Sequence, residues 1–485
     1  MPTNPAGRAT RRRGRPGQPS THSARRPVVE PAGPGFDFEV VDTPPVDTTF
    51  EALGVPAPIV AALVKSGCPT PFPIQAATLP SSLTGRDVLG RARTGSGKTV
   101  AFAVPTVVAL AGSEKTRRPN FPRALVLVPT RELAAQVAAT TEPIARAMGL
   151  RVAVIHGGVS QGPQVAALRA GVDVLIACPG RLEDLAQQNH CKLGAIEVCV
   201  LDEADHLSDL GFLPAVKRIL DQTPAGGQRM LFSATLDRAV DTVVRRYLTN
   251  PITHSVDSAD STPPDLEHHA FTVTVDDKAA VVRELASGKE RSLLFTRTKH
   301  AAKKLAKDLT ARGIPAVDLH GNLSQPQRDR NLAAFADGSA RVLVATDIAA
   351  RGIHVDDIAL VVHVDPPTEH KAYLHRSGRT ARAGARGTVV TVILPDQSRD
   401  VATMIRQAGI RPASARIGPG AAETAALTGP IAELVHRPQA MVAPTQARPS
   451  RSTSGSPRGR GGRGSQPSSG GRRSASPSAG RRRSW

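Results

Sequence analysis

The segment Ala92-Arg-Thr-Gly-Ser-Gly-Lys98-Thr99 follows a short apolar stretch, Asp87–Gly90, and precedes an apolar helical run from Val100. In the order strand, glycine turn, helix, successive backbone N–H groups and the positive end of a helix dipole converge on one anion. Gly95 and Gly97, with Thr94 and Ser96 between and before them, let the backbone bend around phosphate oxygens. Lys98 would reach the β- and γ-phosphates of a nucleotide, and the Thr99 hydroxyl would ligate Mg2+. The generic pattern has glycine at its first position, where this chain carries Ala92.

Working outward, Glu197-Val-Cys-Val-Leu201 reads as a buried strand that ends in Asp202-Glu203-Ala204-Asp205. Carboxylates at the C-terminal edge of a parallel strand stand beside the phosphate loop, where α/β sheets bind ligands. Asp202 would hold Mg2+ directly or through water, and Glu203 would orient and deprotonate an attacking water. Further apolar runs alternate with helical patterns at Ala124–Val128, Val152–Ile155, Val172–Ala177 and Arg229–Phe232. Short apolar runs between helices are fully buried parallel strands, so residues 48–256 form one α/β domain. The Pro-containing polar segment 257–267 is a linker. A second block, 268–410, repeats the alternation at Ser292–Thr296, Ala316–Leu319, Arg341–Ala345, Ala359–Val364 and Gly387–Ile393. Two stacked parallel-sheet domains with a cleft between them are expected.

The net charge of +20 is unevenly placed. Residues 1–29 hold seven Arg and no acid, and residues 434–485 hold eleven Arg, no Lys and no acid. The middle is left near +2, an ordinary globular surface. Residues 1–47 and most of 411–485 are therefore expected to be disordered basic tails, drawn to a polyanion by counterion release. Arg458-Gly-Arg-Gly-Gly-Arg463 is of the Arg-Gly type that binds RNA loosely. Cys68, Cys178, Cys191 and Cys199 lack metal-ligand spacing and suggest reduced structural thiols in a cytoplasmic protein. Val100–Gly112, the longest apolar stretch, is too short to span a bilayer, and no apolar segment follows Arg11–Arg13 as a secretory signal would require.

Together with these segments, Asp202-Glu-Ala-Asp205 resembles the signature of the DEAD-box ATP-dependent RNA helicases of superfamily 2. The resemblance covers roughly 48–410 and implies two tandem RecA-like domains, ATP and Mg2+ as cofactors, and single-stranded or duplex RNA as partner. It implies that Gln75, in Gly67-Cys-Pro-Thr-Pro-Phe-Pro-Ile-Gln75, reads the adenine edge. Phe50, seventeen residues before Gly67, would pack on the base, although it serves equally well as a core anchor. Pro129-Thr130-Arg131, Gly158 and Gly180-Arg181 match the family's RNA-backbone contacts, with Cys178 where the family has Thr. Ser233-Ala-Thr235 resembles the element that couples hydrolysis to strand separation.

In the second block Tyr373-Leu-His375-Arg-Ser-Gly-Arg379-Thr-Ala-Arg382 resembles the element that sends Arg379 and Arg382 across the cleft to the γ-phosphate, with His375 linking it to the carboxylates. Gln325, Arg328, Thr346 and Arg351 match RNA-facing positions, and Asp347 is assigned to organising nucleotide contacts. His354 stands where the family places a ribose-binding Asp, which leaves Asp356 or Asp357 as substitutes. The expected protein is a monomeric, membrane-free RNA helicase whose target, ribosomal or messenger RNA among others, stays open. Two rival readings are a DNA translocase of the same superfamily and a non-catalytic RNA clamp.

Overall fold

The computed structural model describes residues 48–92, 95–256, 266–350, 357–381 and 386–435. In the first lobe seven strands, β1 (Val88–Arg91), β2 (Ala124–Leu127), β3 (Val152–Ile155), β4 (Val174–Ala177), β5 (Val198–Leu201), β6 (Gln228–Ser233) and β7 (Ile252–Ser255), form one sheet. Its order is β3-β4-β2-β5-β6-β1-β7, and every pairing is parallel. In the second lobe β8 (Leu266–Thr272), β9 (Arg291–Phe295), β10 (Ala316–Leu319), β11 (Val342–Ala345), β12 (Ile358–His363), β13 (Gly387–Ile393) and β14 (Ala413–Arg416) form the other. That order is β10-β11-β9-β12-β13-β8-β14, again all parallel. Adding seven to each label of the first order gives the second, so the lobes share one topology.

Parallel strands need helical crossovers, and helices on both faces leave no solvated side to the sheet. The central strands β2, β4, β5 and β11 are accordingly buried along their whole length. Each lobe has two apolar clusters, one on each face. The crossover helices start with local caps: Thr130 Oγ1 accepts from Leu133 N (3.2 Å), and Thr298 Oγ1 accepts from Ala301 N (3.2 Å). Such a cap contributes about 1 kcal/mol and fixes where the chain turns away from the strand end.

The boundaries differ from expectation in two places. β8 begins at Leu266, inside the expected linker, because its polar alternation Leu-Glu-His-His hides a strand. The second domain also continues past 410: β14 pairs with β8, and the helix Ala422–Thr428 packs on Lys278–Leu285. β14 is an exposed edge strand of sequence Ala-Ser-Ala-Arg, with no apolar run to announce it. The tails expected at 1–47 and beyond 435 lie outside the described residues. Among the described residues no helix is long and apolar enough to cross a membrane.

A chain ending at residue 410 therefore loses the seventh strand and the buried Ile417. It should unfold earlier than one ending at 435, by at least the roughly 1.5–3 kcal/mol of one buried aliphatic side chain. Chemical denaturation followed by circular dichroism measures this, and equal stability of the two chains would restore the boundary at 410.

Candidate functional site

β1 delivers the chain to the glycine loop, where Gly95 (φ 86°) and Gly97 (φ 85°) occupy the left-handed region. The helix Lys98–Ala111 starts immediately after. A Cβ on Gly97 would lie 2.5 Å from Gln75 Nε2 and 2.9 Å from the Phe72 ring, so glycine is required by both conformation and space. The fully buried Gln75 braces the loop: Nε2 donates to Gly97 O (2.9 Å), and Oε1 accepts from Phe72 N (2.9 Å). Lys98 is buried and donates from Nζ to Ala92 O (2.9 Å). Thr94 lies outside the described residues. Phe50 is fully enclosed in the first lobe's core and has no face for a base, which selects the core-anchor alternative. Phe72, at 49% exposure, is the aromatic beside the loop, and its position one turn before Gln75 was the available signal.

β5 carries three carboxylates out of the sheet into a nearly dry setting. Asp202 and Glu203 are buried, and Glu203 adopts φ 49°, in the left-handed region. Asp202 Oδ1 accepts from Glu203 N (2.9 Å). Burial pushes the Asp202 carboxyl up to about 7 against the opposing pull of Lys98. Burial acts the same way on Glu203, but the hydrogen bond and charge of His206, with Lys98 and Arg379, outweigh it and hold this carboxyl down at about 2. The Glu203 Oε2 to His206 Nδ1 distance is 2.6 Å. Asp205 is tied to the end of β6: its Oδ2 accepts from Thr235 N and Oγ1, both at 3.0 Å. Asp205 N donates to Ser233 Oγ (3.2 Å), which donates in turn to Thr235 O (2.7 Å). Ser233 and Thr235 thus report directly to the acidic segment.

The second lobe faces this cluster with the helix His370–Ser377 and the residues after it. The rings of His206 and His375 lie 5.4 Å apart across the lobes. Burial, then the neighbouring His206, lowers the basicity of His375. Arg379 is buried, with Nε donating to His375 O (3.4 Å), close enough for its charge to act on Glu203. Arg382 lies outside the described residues. Asp347 departs from its expected role. Its two oxygens accept from Arg376 Nε (2.5 Å) and Nη2 (2.7 Å), a fork that also places Arg376 Nη1 on Asp365 O (2.7 Å). Its carboxylate seats the arginine helix from the wall of the pocket that His375 and Arg379 also line. Arg376, within the quoted string, is the positioning residue that sequence reading passed over.

Most of the expected RNA positions among the described residues follow strand ends, after β2, β3, β4 and β11. Arg131 Nη1 donates to Gln325 Oε1 (2.8 Å) across the lobes and lies so close to Gly158 that a Cβ there would meet it at 2.0 Å. Thr130 caps the helix after buried Pro129, and Thr346 O begins the short helix Asp347–Ala350. Arg181 donates twice to Val159 O (3.3 Å each), and Gly180 leaves open space where a side chain would be. Cys178 sits at the N-cap of Pro179–Gln187 without a side-chain cap bond, its thiol pushed up to about 12 by burial. Arg328 is a correction: Nε donates to Glu132 Oε1 (2.7 Å), Nη1 to His320 O and Nη2 to Ala349 O (3.4 Å each), so it clasps the lobes. Glu132, an acid in a helix's first turn, reads in sequence only as a dipole partner. Asp357 pairs with Arg291 (3.3 Å) at the strand starts, away from the cleft, which removes it as a ribose ligand. Arg351, His354 and Asp356 lie outside the described residues.

Residues 72–243 match the DEAD/DEAH box helicase family, and residues 277–384 match the helicase conserved C-terminal domain. The chain is 40% identical over 381 residues to DEAD-box ATP-dependent RNA helicase 3B, chloroplastic, of Zea mays, covering 77% of this chain and 51% of that one. It is 39% identical over 349 residues to ATP-dependent RNA helicase RhlB of Escherichia coli, covering 71% and 83%. Saccharomyces cerevisiae Dbp5 bound to RNA and ADP BeF3 is similar in structure with a TM-score of 0.66 at 26% identity, covering 76% of this chain and 95% of that one. The chain spans about half the length of the maize relative. Both lobes have the RecA-like fold.

The raised Asp202 carboxyl has a consequence for stability. Between the usual Asp value of about 3.9 and its folded value of about 7, the native protein binds a proton that the unfolded chain has lost, so stability falls as pH rises through that window. Asp202→Asn should raise the Tm of the nucleotide-free protein in EDTA at pH 8 by at least about 2–4 °C, the shift given by 1 kcal/mol in a domain of this size. The gain should be smaller at pH 5. Thermal scans check this, and an equal shift at both pH values would remove the buried charge as its cause.

Proposed function

The chain belongs to the DEAD/DEAH box helicase family, and from that premise we propose that it hydrolyses ATP, with Mg2+, to unwind or remodel RNA locally. The observation that carries the reading is the meeting of Glu203 and His206 of one lobe with His375 and Arg379 of the other. The site suits a nucleotide and a cation on its own chemistry. The glycine loop presents N–H groups over a helix N-terminus, Lys98 is held in reserve on a carbonyl, and Asp202 is a buried carboxyl short of positive charge. Thr99 and Asp202 would hold Mg2+, which neutralises phosphate charge when bound.

The protein's own groups then divide the work. Lys98 exchanges the Ala92 carbonyl for phosphate oxygens. Glu203, ionised throughout the neutral range, orients the attacking water by accepting its hydrogen bond. Its low proton affinity makes positioning its larger contribution. Arg379, with Arg382 from the same element, brings positive charge to the transferring phosphoryl group only when the lobes are together. Thr235 and Ser233 pass changes at Asp205 to the end of β6. RNA laid across Thr130, Arg131, Gly158, Arg181, Gln325 and Thr346 would be held through its sugar–phosphate backbone, which makes recognition sequence-tolerant. Because RNA and ATP would each touch both lobes, each favours the closure the other needs. The protein acts in the cytoplasm as a monomer, with the basic tails holding it near structured RNA.

Arg379→Ala should lower the RNA-stimulated kcat at least about 10³-fold while leaving ATP binding intact. Steady-state turnover with matched RNA and DNA, alongside equilibrium nucleotide binding, tests the proposal. Near-normal turnover of the variant would reject the arginine role, and equal stimulation by DNA would move the substrate class.

A further inference from the structure

The helix Lys299–Ala311 follows β9 and turns a predominantly basic face to solvent. Lys299, His300, Lys303, Lys304 and Lys307 are all exposed. On a helix of 3.6 residues per turn they fall within an arc of about 140°, beside the buried arc of Ala302, Ala306 and Leu309. The only acid of the helix, Asp308, is paired with Arg312 (3.1 Å). Among the described residues Lys303, Lys304 and Lys307 have no carboxylate within ion-pair distance, and Lys299 reaches only the neutral Asn322 Oδ1 (3.1 Å).

Folding gives no reason for this arrangement. Lys299 stands at the first helical position, where the helix dipole repels a cation, and no acid stands in the first turn to offset it. Lys299 and Lys303, and again Lys303 and Lys307, are like charges four apart, each pair destabilising by about 0.2–0.5 kcal/mol. An arrangement that weakens its own helix gains from something outside it, and four lysines without an acid select a polyanion.

Position identifies which one. The helix leaves the C-terminal edge of the second sheet, the edge that also carries His320 after β10 and Thr346 after β11. Lys299 is tied through Asn322 to the loop leading to Gln325, whose Oε1 receives Arg131. The face carries no Phe, Tyr or Trp, so it offers point charges without a stacking platform for splayed bases. We infer that this lysine face is a second RNA surface, which holds the phosphate backbone of a duplex flanking the strand bound in the cleft. The inference rests on the RNA reading above and adds a substrate preference: a strand continuous with structured RNA is favoured over a free one.

The test uses the full chain carrying Lys303→Gln, Lys304→Gln and Lys307→Gln, exposed positions away from the cleft. Affinity is measured across salt for a short single strand and for the same strand joined to a hairpin. At about 0.9 per phosphate contact, the slope of log K against log salt for the hairpin RNA should fall by about 2–3, with little change for the bare strand. The corresponding triple Arg variant should keep the original slope. An unchanged hairpin slope, or equal losses on both RNAs, would overturn the assignment. ATP turnover at saturating single strand, read on the same proteins, separates the two levels. Stimulated turnover with an unaltered slope sinks only the lysine face, whereas unstimulated wild-type turnover sinks the RNA reading and this inference with it.

Discussion

Three carboxylates emerge together at the end of β5, and all three, Asp202, Glu203 and Asp205, are almost wholly withdrawn from water. Isolated charge in such a place is costly enough that the surroundings must either neutralise it or supply hydrogen bonds. They do so unequally. Glu203 has His206 at 2.6 Å and the charge of Arg379 nearby, while Asp205 is saturated by the β6 end. Asp202 has Lys98 as its main electrostatic support and stays undercompensated. The group left most in need of a cation is the one beside the phosphate loop, so the proposed role of Asp202 as a metal ligand follows from the same burial that strains it.

That imbalance also ties the lobes together. Part of the positive charge that steadies Glu203 comes from the second lobe, and the Arg328–Glu132 pair, about nine-tenths buried on both sides, fixes the lobes a short distance away. A buried pair contributes less through its own energy than through the penalty for leaving either member alone. It therefore favours well-defined joined and separated arrangements over a loosely associated intermediate. Asp347 works one layer back: by seating Arg376 it sets the helix from which His375 and Arg379 extend.

What could be read in the sequence follows the physics of burial. β5 was legible because a strand covered on both faces writes itself as an unbroken apolar run. The partly buried edge strands β3 and β10 and the Thr-containing β13 were legible from short β-branched runs between helical patterns. β14 was not, since an edge strand of Ala-Ser-Ala-Arg has nothing to bury. The glycine loop and the acidic segment were legible because their chemistry requires particular residues at adjacent positions. Pairings across nearly two hundred residues, such as Glu132 with Arg328, leave no mark in a single sequence, and the fork on Asp347 is equally silent. Phe50 was ambiguous for a related reason: an isolated aromatic looks alike whether it meets a base or a core.

The shared topology makes the asymmetry of the lobes informative. β8 holds the place in the second sheet that β1 holds in the first, so residues 273–277 correspond to the phosphate loop. There the chain reads Val-Thr-Val-Asp-Asp, without a glycine, and Thr274 Oγ1 donates to Asp277 Oδ2 (2.7 Å). Two carboxylates at a strand end where phosphate would otherwise settle exclude an anion by repulsion, and a loop without glycine cannot turn its amides inward. The second lobe has no means of holding a nucleotide in that loop, and in the proposed mechanism it contributes arginines to a nucleotide held by the first. Division of anion cradle and cation donor between two copies of one fold makes chemistry depend on their contact, and a strand lying across both copies can control that contact.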